Sequence, residues 1–252
     1  HEVFKGLGKL GLLGLCKPEA YGGSGLDYSY SMAMAETLGH IHCGGIPMAI
    51  GVQTDMCTPA LARFGSDELR KEFLAPAIAG DMVGCIGVSE PGAGSDVAGV
   101  KSYARKDGDD YVITGQKMWI TNSPIADIAV VWAKNEQGKV IGMIVEKGMK
   151  GFSAPEIHGK WSLRASITGE LVFEDVRVPK KNVLPGVVGM KGPLSCLTKA
   201  RYGIAWGVIG AALDCYDSAL RYSLEREQFG KPIGAFQLTQ KKLAEMITEI
   251  TK

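Results

Sequence analysis

The amino-acid order predicts an α+β multidomain chain: an N-terminal helical domain, a middle antiparallel β-barrel or sandwich domain, and the start of a C-terminal helical bundle. Three observations carry this. Apolar residues recur at helical spacing up to about residue 82; short β-branched and aromatic runs separated by Gly and Asn turns follow; helical spacing then returns after about residue 190. The divisions expected are 1–82 for an incomplete N-terminal domain, 83–190 for the β-domain and 191–252 for the first C-terminal helices.

Taken in order, Phe4, Leu7, Leu10 and Leu13 keep helical spacing, and the run 17–25 is a loop because Gly and Pro extend a helix only at a cost. Gly6, Gly8 and Gly11 match G-x-G-x-x-G, but no strand precedes them and no βαβ alternation follows, so they do not read as a dinucleotide fingerprint. Met32, Ala35 and Leu38 mark a helix over 29–38, and Met48, Val52, Met56 and Leu61 another over 47–63. Ser66 offers an N-cap with Asp67 and Glu68 in the first turn of a helix running toward Ile78. Strands are expected over 111–114, 117–121, 127–133, 140–145 and 170–178, with hairpin turns at Gly115-Gln116 and around Asn135 to Gly138. Pro179 closes the last strand and 180–192 reads as a linker. Ile204, Val208, Ala211, Cys215 and Ala219 line one face of a helix over 193–224, and a break near Gln228 to Pro232 precedes a helix over 236–250.

Composition excludes several function classes. The chain of 252 residues has 28 Lys+Arg against 27 Asp+Glu, a formal net charge of +1, which makes no electrostatic case for nucleic acid or a bilayer. Its six cysteines form no C-x-x-C pair and read as reduced, packed thiols. His40, His42 and Cys43 lack the further ligands a zinc site of about four needs. The longest uncharged apolar run, 203–213, falls short of the ~20 residues of a membrane span. The chain opens on His1 and ends inside a helical pattern, so a fragment truncated at both ends is expected.

The chemistry concentrates in Gly87-Val88-Ser89-Glu90-Pro91-Gly92-Ala93-Gly94-Ser95-Asp96 and in Lys117-Met118-Trp119-Ile120-Thr121-Asn122. Gly92 and Gly94 allow close backbone approach to a ligand, Pro91 fixes a turn dihedral, and loop N–H groups with the Ser89 and Ser95 hydroxyls suit a diphosphate or a polar ring edge. Trp119 offers a flat face for stacking. A glycine-rich hairpin beside a core tryptophan satisfies the same physics.

These two motifs, with Gly169 to Pro179 and Arg226-Glu227-Gln228-Phe229-Gly230-Lys231 in the same order, resemble the acyl-CoA dehydrogenase family of flavoproteins over nearly the whole chain. The resemblance implies FAD as cofactor, an acyl-CoA substrate, α,β-dehydrogenation, an electron-transfer flavoprotein or similar acceptor, and a homo-oligomer when complete. It implies that 86–95 line FAD, including Ile86, Val88, Ser89 near the isoalloxazine, Gly94, and Ser95 shared with the acyl-CoA. Trp119, Ile120 and Thr121 would form the ring wall, Arg226 and Gln237 would reach the FAD of a neighbouring subunit, and Leu194, Leu197 and Arg201 would lie beside the thioester and CoA. It places the protein in the mitochondrial matrix of a eukaryote or the cytoplasm of a bacterium, with no membrane insertion and no metal.

The catalytic glutamate of most of the family corresponds to a position beyond Lys252. A minority carry it one residue before the arginine matching Arg201, which here is Ala200, a residue without a proton acceptor. Asp214 and Asp217 lie about four to five helical turns away. The fragment alone is therefore expected to be inactive, the competing expectation being a non-catalytic FAD or acyl-CoA binding or assembly module. The downstream half resembles glutaryl-CoA dehydrogenases, whose carboxylate-holding arginine corresponds to Pro47, while the upstream half resembles monoacyl-CoA branches. A monoacyl-CoA is the substrate expected, because a buried carboxylate without a cation costs several kcal/mol.

Overall fold

The computed structural model describes residues 1–252. Its first third is helical: α1 (Glu2–Lys9), α2 (Tyr28–Leu38), α3 (Gly45–Gly51), α4 (Thr58–Phe64), α5 (Asp67–Leu69) and α6 (Ala75–Ala79). The side chain of Asp27 accepts from Ser29 N to start α2, and that of Ser66 accepts from Leu69 N to start α5. The region expected as one helix over 47–63 is α3 and α4 joined by a π-helical stretch, Val52–Cys57, and a second π stretch, Arg70–Leu74, joins α5 to α6. Such wide turns re-aim the side chains of a continuous helix and recur at functional sites. Gly6, Gly8 and Gly11 lie in and just beyond α1, so the dinucleotide fingerprint is absent in structure as well.

The middle is an eight-stranded sheet in the order β6-β7-β3-β2-β4-β5-β8, with β1 also paired to β4. The strands are β1 (Gly84–Gly87), β2 (Tyr103–Asp107), β3 (Asp110–Thr121), β4 (Ile128–Lys134), β5 (Val140–Glu146), β6 (Phe152–Ser153), β7 (Thr168–Val178) and β8 (Val183–Val188). The sheet is not closed as a barrel. Most pairings are antiparallel as expected, but β1 and β2 each run parallel to β4. Two sequence readings need correction. Gly115-Gln116 is not a hairpin turn: β3 passes straight through it, and Gly115 takes φ +146 at an irregularity in the β3–β7 register, where an added Cβ would meet Ser102. The run 180–192 is not a plain linker, because β8 pairs with β5 there.

Then come the 35-residue α7 (Lys191–Glu225), the two-residue strands β9 (Glu227–Gln228) and β10 (Lys231–Pro232), and α8 (Gln237–Thr251). One core of 20 buried residues joins the helices to one face of the sheet, through Leu61, Phe73, Leu74, Val130, Trp132 and Leu184 among others. A second, of 15, covers the opposite face around Ile113, Met143, Leu171 and Phe173. Gln53, fully buried in the π stretch, ties the helices to β1. Its amide donates to Ala77 O and Met82 O at 3.0 and 2.9 Å and its oxygen accepts from Gly84 N at 2.7 Å.

Helix α2 packs on α7 through small residues. A Cβ on Gly210 would sit 1.9 Å from Glu36 O and one on Gly39 2.5 Å from Ala211 N, so the two backbones touch. Gly210→Ala is expected to push the helices apart and cost about 1–3 kcal/mol, read as a lower urea midpoint.

Candidate functional site

β1 carries the chain into the glycine loop, and the loop is held against β3 by charge and backbone. Met118 N donates to Ser89 O at 2.9 Å. Beside it Lys117 Nζ meets Glu90 Oε1 at 2.7 Å and donates to Val88 O at 3.2 Å, with the two charged side chains 0% and 7% exposed. Glu90 also accepts from Lys101 N at 2.6 Å and Ser102 N at 2.9 Å, so every approach to this carboxylate is a donor. Burial pushes the Glu90 carboxyl up, but the hydrogen bonds from Lys117, Lys101 and Ser102 outweigh it and hold the group below the ordinary carboxylate range.

Immediately beyond Lys117 the strand slips register against β7, and within that slip Trp119 takes φ +62. A left-handed backbone is unusual for a bulky residue and marks a site where the surroundings impose it. Its consequence is an indole that is 58% exposed while its neighbours Ile120 and Lys117 are buried. Thr121 is half-buried beside it, and Asn122, also left-handed at φ +71, donates its amide to Ala49 O at 3.0 Å. That bond fastens the Trp119 end of β3 to α3. The loop Leu163 to Ser166 closes the same corner, since Cβ atoms on Gly44 and Gly45 would collide with Leu163 and Ala165.

The sequence candidates divide into three groups. Ile86 and Val88 are buried in the wall, Ser89 is half-buried, and Gly94 and Ser95 are exposed at the loop tip, with nothing within 4 Å of a Cβ placed on Gly92 or Gly94. Trp119, Ile120 and Thr121 belong with these, since β3 meets the loop where Met118 N donates to Ser89 O. Leu194, Leu197 and Arg201 lie on the first turns of α7; Leu197 packs on the main core, and Leu194 and Arg201 are exposed. Arg226, at the C-cap of α7, and Gln237, opening α8, are exposed at the far end, roughly 48 Å along α7 from Leu194 at 1.5 Å per residue. The fold does not bring them to the loop of their own chain.

A cavity of about 630 Å³ lies between α2, α3, the π stretch and α7. It is mostly apolar, lined by residues such as Leu15, Met34, Leu38, Met48, Ile204 and Val208, and both Pro47 and Ala200 face it. Of the five residues expected as one face of the helix, Ile204, Val208, Ala211 and Cys215 line it and Ala219 does not.

Sequence reasoning missed two of the three charged residues of this cavity, Lys17 and Asp55; the third, Asp214, lies with Oδ2 2.8 Å from His42 Nε2. Lys17 is 6% exposed and donates to Thr54 O at 2.8 Å, while burial, then Lys199, pull its ammonium from 10.5 down to about 8. Burial likewise pushes the Asp55 carboxyl up, against Lys17 and Lys199. Asp55 sits in the π stretch against α7, with Oδ2 3.0 Å from where a Gly203 Cβ would stand and the Tyr28 hydroxyl nearby. An acid interrupting the Val52–Met56 apolar stripe was the available signal for Asp55; Lys17, in a loop before Pro18, gave none. Lys17→Met is expected to remove a pH dependence: the folded wild type bears the full cost of the buried charge below about pH 8 and sheds it as the pH rises toward 10.5, so the melting temperature of the wild type should gain on that of the variant over that interval.

An exposed indole beside a glycine loop offers a face on which a flat aromatic ring can stack. Models of the acyl-CoA dehydrogenase N-terminal, middle and C-terminal domains match residues 1–81, 85–176 and 188–252. The mitochondrial isovaleryl-CoA dehydrogenase of Solanum tuberosum is 40% identical over 99% of this chain and 61% of its own length. A glutaryl-CoA dehydrogenase from Mycobacterium smegmatis in complex with FADH2 superposes with TM-score 0.94 at 42% identity, over 99% of this chain and 64% of that one. An acyl-CoA dehydrogenase from Geobacillus kaustophilus gives TM-score 0.90 at 34% identity, over 99% and 67%. The chain belongs to the acyl-CoA dehydrogenase family, and it spans about three fifths of the length of the curated relatives it matches.

Proposed function

We propose that this chain is the FAD- and acyl-CoA-binding part of an oxidoreductase that removes hydrogen from Cα and Cβ of an acyl-CoA thioester. The observation that carries the reading is Trp119, aimed outward from a left-handed backbone beside the glycine loop and next to the corner shared with the apolar cavity. FAD fits this surface: the indole gives a stacking face, and the Ser89, Ser95 and Thr121 hydroxyls and the open Gly92–Gly94 backbone give donors. When bound, FAD supplies the acceptor for the β-hydrogen as hydride.

The chain's own residues bind and orient. Ile86, Val88, Ser89, Gly94 and Ser95 line one side of the cofactor; Trp119, Ile120 and Thr121 line the other. Leu194, Leu197 and Arg201 lie beside the thioester and CoA. Arg226 and Gln237, distant from their own loop, serve the FAD of a neighbouring subunit in a homo-oligomer of the complete protein. The α-proton needs a carboxylate; Ala200 has none, and a glutamate beyond Lys252 takes that role. Electrons leave to an electron-transfer flavoprotein or similar acceptor, in the mitochondrial matrix of a eukaryote or the cytoplasm of a bacterium. No helix is long and apolar enough to cross a membrane.

The test is anaerobic addition of butyryl-CoA or isovaleryl-CoA to the complete, flavin-loaded protein. Bleaching of the visible flavin band is expected; an unchanged spectrum with both thioesters bound contradicts the reading. The 252-residue chain alone is expected to leave the flavin oxidised.

A further inference from the structure

The cavity is mostly apolar; of its charged side chains Asp214 lies 2.8 Å from His42, whereas the Lys17 ammonium and the Asp55 carboxylate do not meet. Lys17 and Asp55 both line it, and no nitrogen–oxygen contact between them falls within the 4.0 Å of an ion pair. Lys17 has three donors and spends one, on Thr54 O. Its backbone has no freedom to withdraw: Gly25 N donates to Lys17 O at 2.9 Å, and a Cβ on Gly23 would lie 2.2 Å from that same oxygen. The neighbouring hydroxyls are largely committed, Thr54 Oγ1 donating to Ile50 O at 3.1 Å and Tyr28 OH to Lys199 O at 3.5 Å. Lys199, whose ammonium lies 5.5 Å over the Tyr28 ring, is the other cation nearby, and it is only half-buried. Spare donors and a spare acceptor therefore face one space, where an unsatisfied charge is costly.

We propose that Lys17 and Asp55 make this cavity selective for an acyl chain that carries a neutral group able to accept and donate a hydrogen bond, a hydroxyl or a carboxamide, in preference to a plain alkyl chain. The inference rests on the proposed acyl-CoA function and takes this cavity, which Pro47 and Ala200 also face, as the place of the acyl chain. Lys17 and Asp55 are opposite in sign, so a neutral group that both accepts and donates can meet the two without adding charge, whereas a ligand carboxylate would bring a like charge toward Asp55. Selection of this kind can be large, because a substrate lacking the polar group leaves the site's buried polar atoms unpaired.

Binding of ω-hydroxyacyl-CoAs of four to six carbons to the complete protein, each against its methyl isostere and against glutaryl-CoA, tests this by calorimetry. At least one hydroxyacyl thioester is expected to bind about tenfold tighter than its isostere, and the preference to disappear in Lys17→Met/Asp55→Leu. Equal or tighter binding of the alkyl isosteres through the series overturns the inference on wild-type protein alone, whatever the variant does. So does a preference for glutaryl-CoA, or a discrimination that survives the double substitution. Flavin bleaching is followed separately. Bleaching without discrimination removes this inference and leaves the proposed function; discrimination without bleaching by any thioester does the reverse.

Discussion

Replacing Lys117 with alanine is expected to destabilise the protein by about 3–5 kcal/mol, the cost of leaving one partner of a buried ion pair uncompensated. The Lys117 side chain is 0% exposed and is the only cationic side chain bonded to Glu90, which sits under the glycine loop. Without it a carboxylate remains enclosed between β3 and the loop, and the Val88 carbonyl loses its donor. A loss of that size is a large share of the ~5–15 kcal/mol that holds a domain together. Urea denaturation checks it, with Arg177→Ala as control: the Asp107 and Asp110 partners of Arg177 lie at the surface, so about 0–1 kcal/mol is expected there. Acid provides a second reading. Glu90 is held below its ordinary value of 4.5, so its contribution is complete above that pH and is lost as the pH falls through the depressed folded value. The wild type should lose stability on acidification below about 4.5 more steeply than Lys117→Met/Glu90→Gln.

Trp119→Ala is expected to weaken FAD binding roughly ten- to hundredfold, the range for removing one aromatic stacking platform. The fold should scarcely notice. The indole is 58% exposed and no aromatic pair holds it, so a change within about 0.5 kcal/mol is expected. Lys117 and Trp119 are two residues apart on one strand, yet the first serves the scaffold and the second the surface. The register slip between Lys117 and Ile120 separates these roles by turning the intervening backbone.

Which features were legible in the sequence depended on whether their cause was local. Helical spacing and Asx or Ser caps act within a few residues, so α2, α7 and α8 fall within one or two residues of their expected limits. The bulge at Gly115 was not legible: a glycine between two β-branched runs reads as a turn, and only the long partner β7 reveals that the strand continues. Short strands such as β1 and β8 draw their order from β4 and β5, not from their own composition. The π stretches likewise left no local mark in the sequence, though each holds a buried side chain, Gln53 in one and Phe73 in the other. In the site, the glycine loop and Trp119 were visible because their residue types are distinctive. Lys17 and Asp55 were hidden because they are 38 positions apart in sequence and face one cavity only once the loop over 17–25 is tied to the π stretch, where Lys17 donates to Thr54 O.

The central claim is that the loop Gly87 to Asp96 and the outward face of Trp119 form the cofactor wall. Its most direct test is FAD affinity of the complete protein and of its Trp119→Ala variant, measured by titration of the flavin-free forms, with melting temperature recorded alongside. A loss of tenfold or more at unchanged melting temperature is the result predicted. Wild-type affinity in the variant would contradict it.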